Sequence, residues 1–188
     1  MSFTGLTALA LDNGYRVIVY LAGTKNNLLE QTTKRLRKDL ISKRPRNNNF
    51  YKIHTNPTIE DAEEIIGHLE SSDKPIILIP ILKHYDHINK LAEIFESHDY
   101  KETAGNETVI IVDDEADQAG INTKKVDRDE RNKINELICS LVNGKNEKGE
   151  DIDSTYLAMN YIGYTATPYA NILNEAGRES LYPRSFIT

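Results

Sequence analysis

Arg16-Val17-Ile18-Val19-Tyr20-Leu21-Ala22 is β-branched, aromatic and nearly all apolar. That composition belongs to a strand buried on both faces, since a strand with one wet face would alternate polar and apolar residues. The same signature returns in Ile76 to Ile79, inside the apolar run Pro75 to Leu82, in Val109 to Val112 and in Tyr156 to Tyr164, with a shorter stretch at Tyr51 to His54. Between these runs the apolar spacing is helical. Phe3, Leu6, Leu9 and Ala10 precede a stop at Asn13-Gly14, and Leu29, Thr33, Leu36 and Leu40 form one stripe ending before Pro45. Ile59, Ala62, Ile66 and Leu69 follow a cap at Thr58 with Asp61 three residues on, and Ile88, Leu91, Ala92 and Phe95 make a further stripe. Asp127 and Asp129 open a last helix whose stripe is Ile134, Leu137, Ile138 and Leu141, with Cys139 inside it as a core residue. Strands alternating with helices predict an open, mostly parallel α/β sheet with helices on both faces, in which ligands sit at the carboxyl ends of the strands.

At 188 residues the chain is one domain in size, with 39% hydrophobic and 28% charged residues, a globular composition. Its longest apolar run falls far below the roughly 20 residues that span a bilayer. The start, Met1-Ser2-Phe3-Thr4, carries no secretory pattern, and a single cysteine rules out an internal disulfide, so a cytoplasmic setting is expected. There is no internal repeat. The net charge of −6 argues against binding nucleic acid by bulk charge, yet Lys25, Lys34, Arg35, Arg37, Lys38, Lys43, Arg44 and Arg46 face only Glu30 and Asp39 between positions 25 and 46, a local +6. That stretch is either a phosphate-facing patch or a solvated helix face.

Two strand ends carry chemistry. Val109 to Val112 runs directly into Asp113-Asp114-Glu115-Ala116-Asp117. Adjacent carboxylates at the end of a buried strand repel one another and lose solvation, a cost that a hard divalent cation relieves. Mg²⁺, which takes one or two carboxylates and otherwise water or phosphate oxygens, suits the cluster. The competing reading is an acidic helix cap. The second end is Tyr164-Thr165-Ala166-Thr167-Pro168-Tyr169-Ala170-Asn171, two hydroxyls around a small residue. By itself it reads equally as a strand-ending turn. His84 and His87, with Asp86 between them, lack an evident third ligand and read as a solvated helix start.

Taken together and in this order, Asp114-Glu115-Ala116-Asp117 and Thr165-Ala166-Thr167 resemble motifs II and III of superfamily 2 helicases, the DEAD box and its Ser/Thr-Ala-Thr partner. The chain is most similar to the Z-one branch of putative restriction-associated proteins, through Val112 to Gln118, Tyr164 to Asn171, Leu181-Tyr182-Pro183-Arg184-Ser185-Phe186-Ile187, and the segments Phe3 to Leu6 and Leu21 to Thr32. The resemblance implies a RecA-like lobe over residues 1–188, with motif Ia near 21–32, motif II at 113–118 and motif III at 164–168. It implies ATP and Mg²⁺ as cofactors and DNA as partner, RNA being the other nucleic acid open to it, in a restriction or phage-defence system. Asp114 would hold Mg²⁺ through water, with Asp113 a further candidate ligand, and Glu115 would orient and deprotonate the attacking water. Asp117 would bond toward Thr165 and Thr167, coupling nucleotide state to grip, while Gly23, Thr24 and Lys25 would meet the nucleic-acid backbone. The same resemblance favours the phosphate-facing reading of Lys34, Arg35, Arg37 and Lys38.

One departure stands against this. The phosphate loop GxxxxGK(S/T) is absent, as are a second RecA-like lobe and its arginine finger. The expectation is therefore a partial domain of a larger ATPase that binds ATP weakly alone, turns it over too slowly to measure, and is prone to self-association. Two rival readings stand beside it: a degenerate, non-catalytic module that docks on nucleic acid or protein, and a receiver-like domain using Asp113 and Asp114.

Overall fold

The computed structural model describes residues 3–42, 50–104, 107–116, 128–143 and 159–166. Five strands form one sheet: β1 (Val17–Leu21), β2 (Tyr51–Ile53), β3 (Ile76–Ile81), β4 (Val109–Asp113) and β5 (Met159–Gly163). Their order is β2-β3-β1-β4-β5, and all four pairings are parallel. The α/β class and the parallel sheet are as the apolar runs predict. A receiver-type sheet has the order 2-1-3-4-5, whereas β3 here separates β1 from β2, so the described sheet does not fit that rival.

Central β1 is buried along all five residues, which explains why its sequence has no polar phase. Val17, Val19 and Leu21 face one helical layer and Ile18 and Tyr20 the other. The first layer contains α3 (Ala62–Glu70), α4 (Tyr85–Glu96), α5 (His98–Ala104) and α6 (Arg128–Asn143); the second contains α1 (Phe3–Asp12) and α2 (Asn26–Leu36), the latter continued by a π-helical turn, Arg37–Ile41. Burying a large aliphatic side chain contributes about 1.5–3 kcal/mol, so these two layers carry the fold. On the second face, the hydroxyls of Thr7 and Tyr20 share a hydrogen bond that satisfies both in the core.

Several local expectations shift. In α2 it is Thr32, not Thr33, that is buried with Leu29 and Leu36, and the π turn brings Leu40 back to the same face. The Thr58 amide donates to Asp61 Oδ2 at 2.7 Å, as the cap signal implies. However, Ile59 lies in the 3₁₀ turn Ile59–Asp61 and is 49% exposed, and Ile65 rather than Ile66 is fully buried in α3. β3 runs two residues past Ile79, through Pro80. The Pro80 carbonyl accepts from Asn56 on the β2 side, so the N–H it lacks would point past the end of three-residue β2, where no ladder bond is lost. Cys139 is buried, as its stripe predicts.

Candidate active site at the carboxyl edge of the sheet

Four strand ends converge. The β4 end meets β1 on one side and β5 on the other, with Asp113 in register with both Leu21 and Gly163. Beyond the ladder, the Asp114 amide donates to Leu21 O at 3.0 Å, the Tyr164 amide to Asp113 O at 2.7 Å and the Ala116 amide to Tyr164 O at 2.8 Å. The acidic turn and the segment leading into Thr165 are thus stitched together by backbone. A Cβ at Gly163 would lie 3.1 Å from the Ala116 Cβ, so glycine allows this close approach.

The three carboxylates have different surroundings. Asp113 is buried, with Oδ1 ion-paired to Lys83 Nζ and Oδ2 accepting from the Tyr161 hydroxyl at 2.7 Å. Burial pushes its carboxyl up, opposed by the Lys83 ammonium and then the Tyr161 hydrogen bond. Both Asp113 oxygens are therefore engaged by protein groups. Asp114 is half-buried and contributes, after burial, to raising the Tyr164 phenol. Glu115 adopts φ +54, a left-handed conformation that costs a non-glycine residue about 1–3 kcal/mol, and its Oε2 is buried with no hydrogen-bond partner among the described residues.

Lys83 is the buried residue of this edge that the motifs pass over. It follows the apolar run at the end of β3, is 1% exposed, and donates to the carbonyls of Asp114 at 2.8 Å and Glu115 at 3.0 Å in addition to its ion pair. Those contacts use all three ammonium donors. Its own amide donates to Gly23 O at 2.8 Å. The only sequence signal was a lysine placed directly after a strand too apolar to end in solvent.

Gly23 closes the fourth side. Its φ is +75, and a Cβ there would come within 2.7 Å of Leu28 Cδ1 and 3.3 Å of Glu115 Oε2. The loop at Gly23 therefore lies against the acidic turn. Thr24 and Lys25 follow it, exposed, at the start of α2. Lys34, Arg35, Arg37 and Lys38 are also exposed, but they lie at the far end of α2 and in the π turn after it, about 14 to 20 Å along the helix from Lys25 at 1.5 Å per residue. The structure therefore joins Gly23, Asp114, Glu115 and the Thr165 segment and sets the basic cluster apart. Asp117, Thr167, Lys43, Arg44 and Arg46 lie outside the described residues, as do the loop at 144–153 and the segment 181–187.

The set fits a hydrated divalent cation: a half-buried carboxylate at Asp114 beside an orphaned carboxylate oxygen at Glu115.

No family model, curated protein or solved structure matches this chain.

At the start of α4, His84 caps the helix by accepting from the Asp86 amide, and its ring lies 5.9 Å from that of His87; the pair stands at a helix start, as expected, but both rings are partly buried rather than fully solvated. Among the described residues the group with metal-ligand spacing is a different one, His54, Glu64 and His68. No described helix is long and apolar enough to cross a membrane.

Proposed function

We propose that the carboxyl edge of this sheet is the acidic half of a magnesium–nucleotide site in a helicase-like ATPase that acts on DNA in the cytoplasm. One observation carries the reading: Glu115 is held in a left-handed conformation with a buried, unpartnered carboxylate oxygen, beside Asp114 and against the strand end that bears Thr165. A conformation this costly and a carboxylate this poorly solvated persist where the surrounding structure imposes them, and such places concentrate at functional sites. Here Lys83 does the imposing through the two carbonyls of the turn.

Bound at this edge, Mg²⁺ would neutralise phosphate charge. Asp114 would hold the hydrated ion through water, and Glu115 would accept the proton of a water attacking the γ-phosphorus as its bond to the departing ADP oxygen breaks. Thr165 and Gly23 form the walls through which nucleotide state reaches the loop carrying Thr24 and Lys25. Lys83 has no donor left for a phosphate, so on this reading the phosphate-binding lysine and amides would have to be supplied by other residues, as in a GxxxxGK(S/T) loop.

The chain itself offers a direct test. Mn²⁺, a paramagnetic stand-in for Mg²⁺, should broaden the amide resonances of Gly23, Gly163, Tyr164 and Thr165, and Asp114→Asn should abolish the broadening. Broadening that is absent, or indifferent to that substitution, would remove the cation from this edge. A second reading, a non-catalytic module docking on nucleic acid, is favoured by the separation of the basic cluster from the acidic turn. It is distinguished by DNA binding that depends on Lys34, Arg35, Arg37 and Lys38 and is indifferent to Mg²⁺ and nucleotide.

A further inference from the structure

At the opposite edge of the sheet, three side chains from two elements converge. His54 directly follows β2, anchored by its amide to Leu78 O at 3.0 Å. Glu64 and His68 stand one turn apart on α3, the i, i+4 spacing that puts both on one face. One donor atom from each of the three lies within 4.8 Å of the others, and the two imidazoles are 5.5 Å apart between centroids.

The hydrogen bonding leaves nitrogen lone pairs available. His68 Nδ1 lies 2.7 Å from the backbone carbonyl of Glu64. A carbonyl only accepts, so Nδ1 carries the proton and the Nε2 lone pair of the neutral ring is left for a ligand. Protein metal sites use the same second-shell device to orient a ligating histidine. His54 Nε2 is buried and has no hydrogen-bond partner among the described residues. Leaving a buried polar atom unsatisfied costs about 1–3 kcal/mol, a penalty that coordination would remove.

We propose that His54, Glu64 and His68 form a zinc site, with an open fourth position. Two imidazoles and a carboxylate suit Zn²⁺ and its late first-row neighbours, whereas Mg²⁺ prefers all-oxygen shells. Bonds of about 2.0–2.2 Å space tetrahedral ligands by about 3.4 Å, so donors within 4.8 Å of one another need draw in by at most about 1.4 Å, and Glu64 is the exposed member of the set. Glu64 and His68 also line a cleft of about 410 Å³ together with Lys52, Ser71 and Asp73, which gives a water or small anion room at the fourth position. This site is separate from the acidic turn, since β3 and β1 lie between its strand and β4, whose end carries the turn.

The test is Zn²⁺ titration of the metal-stripped chain against a chromophoric chelator, with Co²⁺ as a spectroscopic substitute. One equivalent should bind, Co²⁺ should give the intense visible bands of a four- or five-coordinate site, and millimolar Mg²⁺ should not compete. His68→Gln and Glu64→Gln, both on the helix surface, should each weaken binding, His68→Gln by about 100-fold or more, with unchanged circular dichroism. His54→Gln should do the same. The paired substitution of His84 and His87 by Gln should leave binding intact. Failure to bind one equivalent, binding unaffected by His68→Gln and His54→Gln, or loss through His84 and His87 instead would each overturn the assignment.

Discussion

Lys83 and Arg16 perform the same connection at opposite ends of the sheet with opposite results. Each pairs with one carboxylate, Asp113 or Glu107, and each donates to two backbone carbonyls. Arg16 reaches Glu107 at 2.6 Å and the carbonyls of Leu69 and Pro75, which belong to separate segments, so it ties α3, β3 and β4 together at their near ends. Its side chain and that of Glu107 are 15% and 24% exposed. For Lys83 and Asp113 the values are 0% and 3%, and the two carbonyls are consecutive, so the whole contact is spent on one tight acidic turn. A partly wet ion pair is a fastening; a dry one with the same parts fixes the shape of a site.

That contrast sets the sizes of the expected effects. Lys83→Met should be the most damaging, about 3–5 kcal/mol by urea unfolding, because it leaves Asp113 buried without its cation. Replacing Asp113 by Leu in the same chain should restore much of the loss, and a double variant as unstable as the single one would show that the turn, not the charge, governs the cost. The pH dependence has a definite sign. Burial raises the Asp113 carboxyl, so the folded chain holds that proton more tightly than the unfolded chain, and stability falls as pH rises from the unfolded value of about 4 through the folded one. Without Lys83 the carboxyl rises further. The Lys83→Met deficit should therefore be largest at neutral pH and shrink on acidification; a pH-independent deficit would break the comparison.

Next comes Gly23→Ala, which forces an L-residue to φ +75 and drives a methyl onto Leu28. A loss of about 1–3 kcal/mol is expected, and a neutral outcome would mean the loop relaxes away from Glu115. Arg16→Met should cost about 1–2 kcal/mol, less than Lys83→Met because water screens the pair and partly replaces its hydrogen bonds. An equal or greater loss would invert the contrast. Replacing Lys34, Arg35, Arg37 and Lys38 by Ala should change stability least, within about 0.5 kcal/mol, while weakening DNA binding and flattening its salt dependence.

The sheet was legible because its three inner strands are buried on both faces: Val17 to Leu21 and Val109 to Val112 have no polar phase to misread. Edges and helix faces were less so. Thr32 and Thr33 both stand at helical spacing from Leu29 and Leu36, so periodicity alone does not choose between them, and Ile59 is exposed because the chain enters α3 through a 3₁₀ turn. At the candidate site, Asp114, Glu115 and the Thr165 segment declared themselves through position at strand ends. Lys83 did not, since a lysine is ordinarily a surface residue and only the packing of β3 beside β1 places it under the acidic turn. His54 and His68 were silent for the same reason: fourteen residues apart, they meet only because β2 and α3 pack together.

The most direct measurement is ATP turnover by the chain joined at its amino end to a phosphate-loop segment of about 50 residues, long enough for a strand and loop, compared with its Glu115→Gln variant. The expected result is DNA-stimulated hydrolysis that the substitution abolishes while nucleotide binding is retained. Turnover that survives Glu115→Gln would contradict the role given to the acidic turn.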